Sequence, residues 1–346
     1  MTYKVDDFPG RIITLANSSY HYFGGTSYLG LQTNTAFQQL YIKNLRKYGT
    51  NYAASRNANV QLYIFETVEH YLAQLVSSES CITLSSGFLA SQLVVKLLHD
   101  DAHQLFYAPG THIASHHAKA INHGSFDDLN NAIRKHLKES NQIPVVLFDT
   151  LDVMGENYPA FQALKNLPLD QIILVGDDSH GIGVVGENGQ GSCHDIKQLN
   201  PKEVIVCCSL GKGFGIQAGA IFCSKQRTQE LRMNPIFGGA SPAAPAALAC
   251  LMEGKEIIHE QQIKLRNNID LFHEQLLDET FLKWIKNYPV FTFSDEGFAS
   301  YLETKKIIIT NFNYPSKNDK LVSRIVLSAA HNSEDIIHLT KLINHF

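Results

Sequence analysis

The most informative pattern in this 346-residue chain lies at residues 171–192, QIILVGDDSHGIGVVGENGQGS. It opens with an apolar run that leads directly into Asp177, Asp178 and His180. Near-continuous apolar runs are typical of parallel strands that are buried on both faces of a sheet. The pattern therefore predicts a buried strand whose end carries acidic and imidazole side chains.

Comparable apolar runs recur along the middle of the chain. Besides residues 171–179, they are CITLSS (81–86), QLFYAP (104–109), PVVLFDT (144–150), EVIVCCS (203–209) and GAIFCS (219–224). The intervening segments 87–99, 112–122 and 126–139 space their apolar residues at about 3.6, the period of a helix. Strands that alternate with helices predict an α/β fold with a parallel sheet between layers of helices.

The pattern changes toward both ends of the chain. We expect an N-terminal arm and helix in residues 1–60, a large domain in 61–245, and a linking helix with a small domain in 246–346. The linking helix is predicted as one long helix from Ala243 to Leu277. A small α+β domain is predicted from the half-exposed strand patterns and the final helix that follow it. These are PVFTFS (289–294), KIIITNF (306–312), SRIVLS (323–328) and a helix at 333–344.

The composition argues against several classes of protein. The net charge is −4, so no excess of basic residues predicts nucleic-acid binding. No apolar run approaches the roughly 20 residues of a membrane-spanning helix, and the first residues lack the apolar segment of a secretory signal. The six cysteines include no Cys-x-x-Cys pair and lie mostly in apolar surroundings, which favours free thiols in a reducing compartment. We therefore expect a cytoplasmic enzyme.

A lysine follows the next predicted strand, within SLGKGFG (209–215), where Lys212 stands between two glycines. In an open α/β sheet the carboxyl ends of neighbouring strands line one crevice. We therefore expect Lys212 to lie near Asp177 and His180. An amine, an acid and an imidazole that meet in one crevice are typical of a catalytic site.

Two other patterns suggest sites that the surrounding residues do not support. Gly181, Gly183 and Gly186 match a dinucleotide-binding spacing, but the turn-forming residues ENGQGS follow where that motif needs a helix. His112 and His116 have the i, i+4 spacing of metal ligands, but no third ligand accompanies them. We expect neither a nicotinamide or flavin site nor a metal site.

Six stretches of the chain match one enzyme family in the same order. They are SYLGL (27–31), SSGFLASQ (85–92), THIAS (111–115), residues 175–192, CSLGKGFGIQAGAI (208–221) and LSAAH (327–331). The chain resembles the fold-type I pyridoxal-phosphate enzymes and, among them, the α-oxoamine synthases. The resemblance implies a large domain with a mostly parallel seven-stranded sheet between helices and a small α+β C-terminal domain. It also implies pyridoxal 5'-phosphate as the cofactor.

The resemblance further implies roles for four residues that touch the cofactor ring. Lys212 would bind the cofactor covalently and move protons at the substrate α-carbon. Asp177 would pair with the ring nitrogen, and His180 would hydrogen-bond to the ring oxygen. His112 would stack on the face of the ring.

The cofactor phosphate would bind at the start of a predicted helix. There the backbone amides of Gly87 and Phe88 would face the anion, as free amides at a helix N-terminus do. Ser209 would add its hydroxyl. Asp178 is expected to be structural rather than catalytic.

The implied activity is the condensation of an acyl thioester, such as acyl-CoA, with an amino acid and the loss of CO₂. Two of the chain's departures from the family bear on the substrate carboxylate. ITNFNYP (309–315) lacks the arginine that usually grips the substrate carboxylate, and Asp152 stands where a serine is normal. An aminotransferase or lyase that does not use CoA therefore stays open, as does a non-catalytic partner subunit, although Lys212 disfavours the latter.

The polar turn GTNYAASRNAN (49–59) resembles the loop that reaches across subunits in this family. Arg56 is the one cation in that turn. We therefore expect a homodimer with shared active sites, in which Arg56 reaches toward the partner's site and contacts the substrate carboxylate or the cofactor phosphate.

Overall fold

The computed structural model describes residues 2–117, 121–152, 157–314 and 321–346. The chain divides into two compact units. The central unit is Leu40–Glu253, and the terminal unit joins Met1–Gln39 to Gly254–Phe346. The two ends of the chain therefore belong to the same unit.

The strands of the described residues alternate with helices through most of the chain. They are β1 (Ile12–Leu15), β2 (Ser18–Phe23), β3 (Ser80–Leu84), β4 (His103–Tyr107), β5 (Ile121–Asn122), β6 (Ile143–Asp149), β7 (Ile173–Asp177), β8 (Glu203–Ser209), β9 (Gly219–Cys223), β10 (Lys283–Trp284), β11 (Val290–Thr292), β12 (Ile307–Asn313) and β13 (Leu321–Val326).

The helices of the same residues range from one turn to six turns in length. They are α1 (Thr35–Tyr48), α2 (Tyr63–Leu75), α3 (Gly87–Leu98), α4 (Phe126–Glu139), α5 (Cys193–Lys197), α6 (Leu210–Gly213), α7 (Lys225–Met233), α8 (Pro235–Gly239), α9 (Pro245–Glu253), α10 (Lys255–Gln275), α11 (Glu296–Thr304) and α12 (Ser333–Ile343). Within the described ranges, none combines the length and the apolar character needed to cross a membrane.

The central unit is built on a seven-stranded sheet in the order β3-β9-β8-β7-β6-β4-β5. From β5 to β8 all neighbours are parallel, whereas β9 is antiparallel to both β8 and β3. Most residues of β6, β7 and β8 are buried, which explains their near-continuous apolar sequences. The predicted mostly parallel sheet of seven strands is confirmed.

Helix α3 shows how the sheet and its helices share one core. Leu93, Val94 and Leu98 of α3 belong to the same buried cluster as Val145 of β6 and Ile205 of β8. Burying an aliphatic side chain of this size contributes about 1.5–3 kcal/mol, so the packing of α3 is a major source of stability. This packing also fixes where the first turn of α3 lies.

The segment 112–122, which the sequence predicts as helical, forms two other structures. Ile113–Ser115 is a single 3-10 turn, and β5 pairs with β4 through Phe106 and Ile121. Residues 118–120 lie outside the described residues. The helix prediction is wrong because backbone pairing with the edge of the sheet replaces the hydrogen bonds of a helix here.

The single long helix predicted from Ala243 to Leu277 is two helices. α9 ends at Glu253, α10 begins at Lys255, and Gly254 lies between them as the N-cap residue of α10. Glycine favours such a break because it loses the most backbone entropy in a helix. The boundary between the central and terminal units falls at the same glycine.

The terminal unit contains a six-stranded sheet in the order β1-β2-β12-β13-β11-β10. Three strands predicted after the linking helix are present as β11, β12 and β13, and α11 and α12 complete the predicted α+β character. β1 and β2 were not predicted. They form because β2 pairs in parallel with β12, which lies far along the chain.

One carboxylate of the terminal unit joins its first and last segments. Asp335 and Asn332 form a capping box at the start of α12, in which each side chain accepts the other's backbone N–H at 2.8 and 2.9 Å. Arg11 Nη2 donates to Asp335 Oδ1 at 2.8 Å. Burial opposes the charged form of Asp335, but the Arg11 and Asn332 hydrogen bonds outweigh it and hold its pKa below the ordinary value.

We expect Asp335→Ala to lower the free energy of unfolding by about 2–4 kcal/mol at neutral pH, since it removes a helix cap and the partner of Arg11. A carboxylate whose pKa is lowered by folding stabilises the protein above its unfolded pKa of about 4 and loses this contribution below it. Urea unfolding should therefore show a difference from wild type that shrinks as the pH falls below about 4. The exposed neighbour Glu334 provides the control as Glu334→Ala, and a pH-independent difference for Asp335→Ala would contradict the assignment.

Candidate active site

Three neighbouring strands of the central sheet end in polar side chains. Asp149 is the last residue of β6, Asp177 is the last of β7, and Ser209 is the last of β8. Because these strands are parallel neighbours, the three residues lie at the same edge of the sheet. Ligands of open α/β sheets bind at this edge, beyond the carboxyl ends of the strands.

Lys212 and His180 meet at this edge. Lys212 lies on the single helical turn α6, and Ser209 begins that turn by accepting the Gly211 N–H with its hydroxyl oxygen at 3.2 Å. Lys212 Nζ is 3.0 Å from His180 Nε2. A protonated lysine can only donate, so Nε2 is then the acceptor and His180 is the neutral tautomer with its proton on Nδ1.

His112 lies on the turn that follows β4. Its Nδ1 accepts the Ala114 N–H at 3.1 Å, and its own backbone N–H donates to Asp149 Oδ1 at 3.1 Å. Burial lowers the pKa of His112, the charge of Asp177 opposes this, and the charge of Lys212 adds to it. His112 therefore shares one electrostatic environment with Asp177 and Lys212 and favours the neutral imidazole.

The Asp177 carboxylate stands at the entry to the turn that carries His180. Its Oδ1 accepts the Ser179 N–H at 2.9 Å. The Ser179 hydroxyl oxygen accepts the Ser209 N–H at 2.8 Å, which ties the end of β7 to the end of β8. The three residues that the sequence placed together, Asp177, His180 and Lys212, thus occupy one edge of one sheet.

The neighbouring acid, Asp178, has a different environment. It is 1% exposed, and it accepts hydrogen bonds from the Thr150 hydroxyl at 2.6 Å and from the Ser192 hydroxyl and N–H at 2.8 and 3.0 Å. Burial raises the pKa of Asp178 to about 6, against the effect of these donors. All three donors come from the protein itself, so Asp178 joins the end of β6 to the turn after β7.

Two of the glycines in residues 181–191 leave room for this buried acid. A Cβ added to Gly191 would lie 2.0 Å from Asp178 Oδ2, and one added to Gly181 would lie 2.2 Å from Oδ1. Gly191 also has a φ of +69°, which side chains rarely adopt. No helix starts at Gly186, and the next helix, α5, starts at Cys193. The glycine spacing that resembles a dinucleotide motif belongs to a packed turn, in which Gly181 leaves room for Asp178 and Gly183 for the backbone of Gly213.

The first turn of α3 lies against the end of β8. The Ser86 hydroxyl oxygen caps α3 by accepting the Leu89 N–H at 3.1 Å, while the N–H groups of Gly87 and Phe88 precede the first intrahelical hydrogen bond. A Cβ added to Gly87 would lie 2.7 Å from the backbone of Ser209. This contact brings two free amides and the Ser209 hydroxyl together, which is a donor set for an anionic group.

Asp149 is the residue of this edge that the sequence analysis missed. The signal was present, because the apolar run of PVVLFDT leads into an aspartate just as that of QIILVGDDS does. Burial, together with the charge of Asp177, raises the pKa of Asp149 to about 8. The negative charge of Asp152, the unusual acid in the sequence, also raises the pKa of Asp149.

His116 has partners of its own next to His112 in the chain. Its Nε2 lies 2.8 Å from the Thr111 carbonyl oxygen, and its ring stacks on Tyr107 at 4.9 Å between centroids. Across the described part of the chain, no group of three or more His, Cys, Asp or Glu side chains is arranged to hold a metal ion.

Known proteins share this architecture. No protein-family model matches the chain. The chain is 26% identical over 350 residues to the 8-amino-7-oxononanoate synthase of Aliivibrio fischeri. The aligned region covers 96% of this chain and 90% of that protein. A serine palmitoyltransferase variant from S. paucimobilis, solved with a pyridoxal-phosphate adduct of myriocin, superposes with a TM-score of 0.82 at 16% identity over 99% of this chain and 91% of that one. An 8-amino-7-oxononanoate synthase from Francisella tularensis superposes with a TM-score of 0.69 at 19% identity over 94% and 97% of the two chains.

These similarities confirm two predictions. The fold is that of the fold-type I pyridoxal-phosphate enzymes. The resemblance to the α-oxoamine synthases extends over almost the whole chain.

Arg56 does not lie where the sequence predicted it. Its side chain is 6% exposed, and Nη1 donates to Glu69 Oε1 at 2.8 Å within the same chain. Its guanidinium also stacks on the Phe65 ring at 4.1 Å. Glu69 itself is buried and accepts the Thr83 N–H at 2.8 Å and Arg232 Nη2 at 2.9 Å. The expected reach toward a partner's active site is wrong, because a buried carboxylate holds the guanidinium inside the central unit.

We expect Arg56→Ala to lower the free energy of unfolding by about 3 kcal/mol, since removing one partner leaves the buried Glu69 carboxylate short of donors. Arg232→Ala should cost less, because the Arg232 side chain is 41% exposed. Urea unfolding of both variants beside wild type measures the difference. Unchanged stability of Arg56→Ala would contradict the structural role.

Proposed function

We propose that this chain, which is similar to the α-oxoamine synthases along almost its whole length, is a pyridoxal-phosphate-dependent acyltransferase that condenses an acyl thioester with an amino acid. The observation that carries the proposal is the 3.0 Å contact between Lys212 Nζ and His180 Nε2 at the sheet edge that also presents Asp177. An amine, an imidazole and a carboxylate gathered there form the set of polar groups that this cofactor needs.

The polar groups at this edge of the sheet fit the cofactor part by part. The two free amides of α3 and the Ser209 hydroxyl suit its phosphate, and the glycine at position 87 is what lets them approach each other. The Asp177 carboxylate suits a protonated ring nitrogen, and His180 suits the ring oxygen. We assign the phosphate to Gly87, Phe88 and Ser209.

When bound, the cofactor supplies a covalent attachment for amines and an electron sink beside the substrate α-carbon. Lys212 is the amine that we assign to cofactor attachment. Its contact with His180 allows the amine to hold or release a proton, so it can serve as acid or base at the α-carbon. Asp177 keeps the ring nitrogen charged, and we assign His112 to the face of the ring.

The proposed reaction forms one carbon–carbon bond and breaks one carbon–carbon and one carbon–sulfur bond. The α-carbon of the amino acid first loses its proton and then bonds to the acyl carbon of the thioester, while the thiol leaves and takes up a proton. The amino-acid carboxylate leaves as CO₂, and a proton replaces it on the α-carbon. Burial lowers the pKa of His112, which favours its neutral form beside Lys212.

A second candidate is another reaction of the same fold, such as an aminotransferase or lyase that does not use CoA. The sequence favours it at two positions, because ITNFNYP (309–315) lacks an arginine and Asp152 adds a negative charge. Both changes weaken the usual grip on a substrate carboxylate. A non-catalytic partner subunit is disfavoured, since Lys212 and His180 are present and in contact.

We expect the purified chain to absorb visible light once loaded with pyridoxal phosphate, and borohydride to fix the cofactor to Lys212. Addition of single amino acids should change this absorption, and addition of an acyl thioester should then release thiol and CO₂. Lys212→Ala should lower the rate by at least about 100-fold, the lower range for a positioned acid–base group, whereas the exposed-lysine control Lys225→Ala should not. Amino-group transfer without thiol release would favour the second candidate, and a chain that takes up no cofactor would contradict both.

We also propose that the chain works as a homodimer in the cytoplasm. On the central unit, Val60, Tyr63 and Met233 are 71%, 87% and 76% exposed. The Arg232–Glu69 contact brings the end of α7 next to α2, so Tyr63 and Met233 belong to neighbouring helices. Exposed apolar side chains grouped in this way are typical of protein interfaces. The cytoplasm is supported by the six cysteines, which are all buried free thiols.

We expect gel filtration to give about twice the chain mass of 38.6 kDa. Tyr63→Glu and Met233→Glu should shift the protein toward the monomer, because a charge in an apolar interface is costly to desolvate. Leu277→Glu, at an 86% exposed position of the terminal unit, is the matched control and should leave the elution unchanged. A wild-type protein that elutes as a monomer and is fully active would contradict the dimer.

A further inference from the structure

Two carboxyl groups lie side by side at the edge of the central sheet. Asp149 and Asp177 are register partners at the ends of the parallel strands β6 and β7. Register partners on neighbouring strands are about 4.8 Å apart and project their side chains to the same face of the sheet. Two ionised carboxylates at such a separation repel each other, so a single proton shared unequally between them is favoured.

The charged and titratable groups around Asp149 come from four segments. His112 faces it from the turn after β4, Asp177 from β7, Lys212 from α6, and Asp152 from its own loop. Burial and the Asp177 charge favour the protonated form of Asp149, and Asp152 adds to this. The His112 N–H and the Lys212 charge act in the opposite direction.

The hydrogen bond to His112 gives Asp149 a second connection to the site. The backbone N–H of His112 donates to Asp149 Oδ1 at 3.1 Å. A protonated carboxyl still offers its carbonyl oxygen to that N–H, so neutral Asp149 can hold the turn that carries the His112 ring. Asp149 thus accepts a hydrogen bond from His112 and interacts electrostatically with Asp177, and both are proposed to bind the cofactor ring.

We propose that Asp149 is a positioning residue that carries the proton of the Asp149–Asp177 pair near neutral pH and thereby leaves the negative charge on Asp177. The role of Asp177 opposite the cofactor nitrogen rests on the proposed function, whereas the proton on Asp149 does not. If Asp177 took the proton instead, the ring nitrogen would lose the charge that keeps it protonated. If both carboxyl groups were ionised, the pair would place two negative charges beside the single positive charge of the ring nitrogen.

The first test uses Asp149→Asn, which is neutral at every pH and keeps an acceptor for the His112 N–H. A carboxyl whose pKa is raised by folding makes the native state bind more protons than the unfolded state, so wild-type stability falls as the pH rises from about 4 to about 8. Asp149→Asn lacks this loss. The test is urea unfolding of the full chain without added cofactor. The ratio of the variant's folding equilibrium constant to that of wild type should rise several-fold per pH unit over this range, and about tenfold per unit is the limit for one proton.

Asp152→Asn is the matched control, because it removes a nearby acid that has no register partner on β7. The ratio of its folding equilibrium constant to that of wild type should change little over the same pH range. Asp149→Ser is also neutral and serves for the same comparison if Asp149→Asn does not fold. The proposal would be overturned if the free energy of unfolding changed with pH in the same way for wild type and the neutral variants.

The second test locates the charge in the cofactor-bound protein. Asp149→Asn should bind pyridoxal phosphate within about threefold of wild type, whereas Asp177→Asn should bind it at least about tenfold more weakly, since it removes a charged hydrogen-bond partner. The visible absorption of the loaded wild type should change in one pH-dependent step that is missing in Asp149→Asn. The reverse order of affinities would overturn the proposal. If neither wild type nor any variant bound the cofactor, only the proposed function would be contradicted. The unfolding measurements test the proton on Asp149 in the absence of cofactor.

Discussion

The edge of the sheet that carries the site depends on one buried carboxylate. Asp178 accepts hydrogen bonds from Thr150, which follows β6, and from Ser192, which ends the turn after β7. A buried charge is costly unless donors surround it, so the chain must keep these donors in place. Gly181 and Gly191 leave the space that the carboxylate needs. Because Asp178 is fixed, the strand end that presents Asp177 and the turn that presents His180 have a rigid frame.

Three aspartates within this small region have three different roles because their surroundings differ. Asp178 is satisfied entirely by donors from the protein and joins two segments. Asp177 receives the Ser179 N–H at the open edge of the sheet. Asp149 faces Asp177 across the strands, where burial and a like charge favour its neutral form. The chemical type of the residue is the same in each case, and the environment determines the charge that it carries.

The agreement between sequence and structure follows the physical origin of each pattern. The strands β6, β7 and β8 could be predicted because a strand buried on both faces has to be apolar along its length. β5 could not, because it forms by pairing with the edge of β4, and β2 could not, because it pairs with β12 from the other end of the chain. Local spacing carries no information about such partners.

The sequence by itself determined that Asp177, His180 and Lys212 belong to one edge, because the carboxyl ends of parallel strands come together in any sheet of this type. It also showed a resemblance to the α-oxoamine synthases, which implies pyridoxal 5'-phosphate as the cofactor. Only the tertiary structure decided which groups are in contact at that edge and which are not. The approach of Lys212 to His180, the pairing of Asp149 with Asp177 and the burial of Arg56 against Glu69 all depend on packing between separate segments of the chain. Such contacts are set by the three-dimensional arrangement of many side chains, which no short pattern of residues contains.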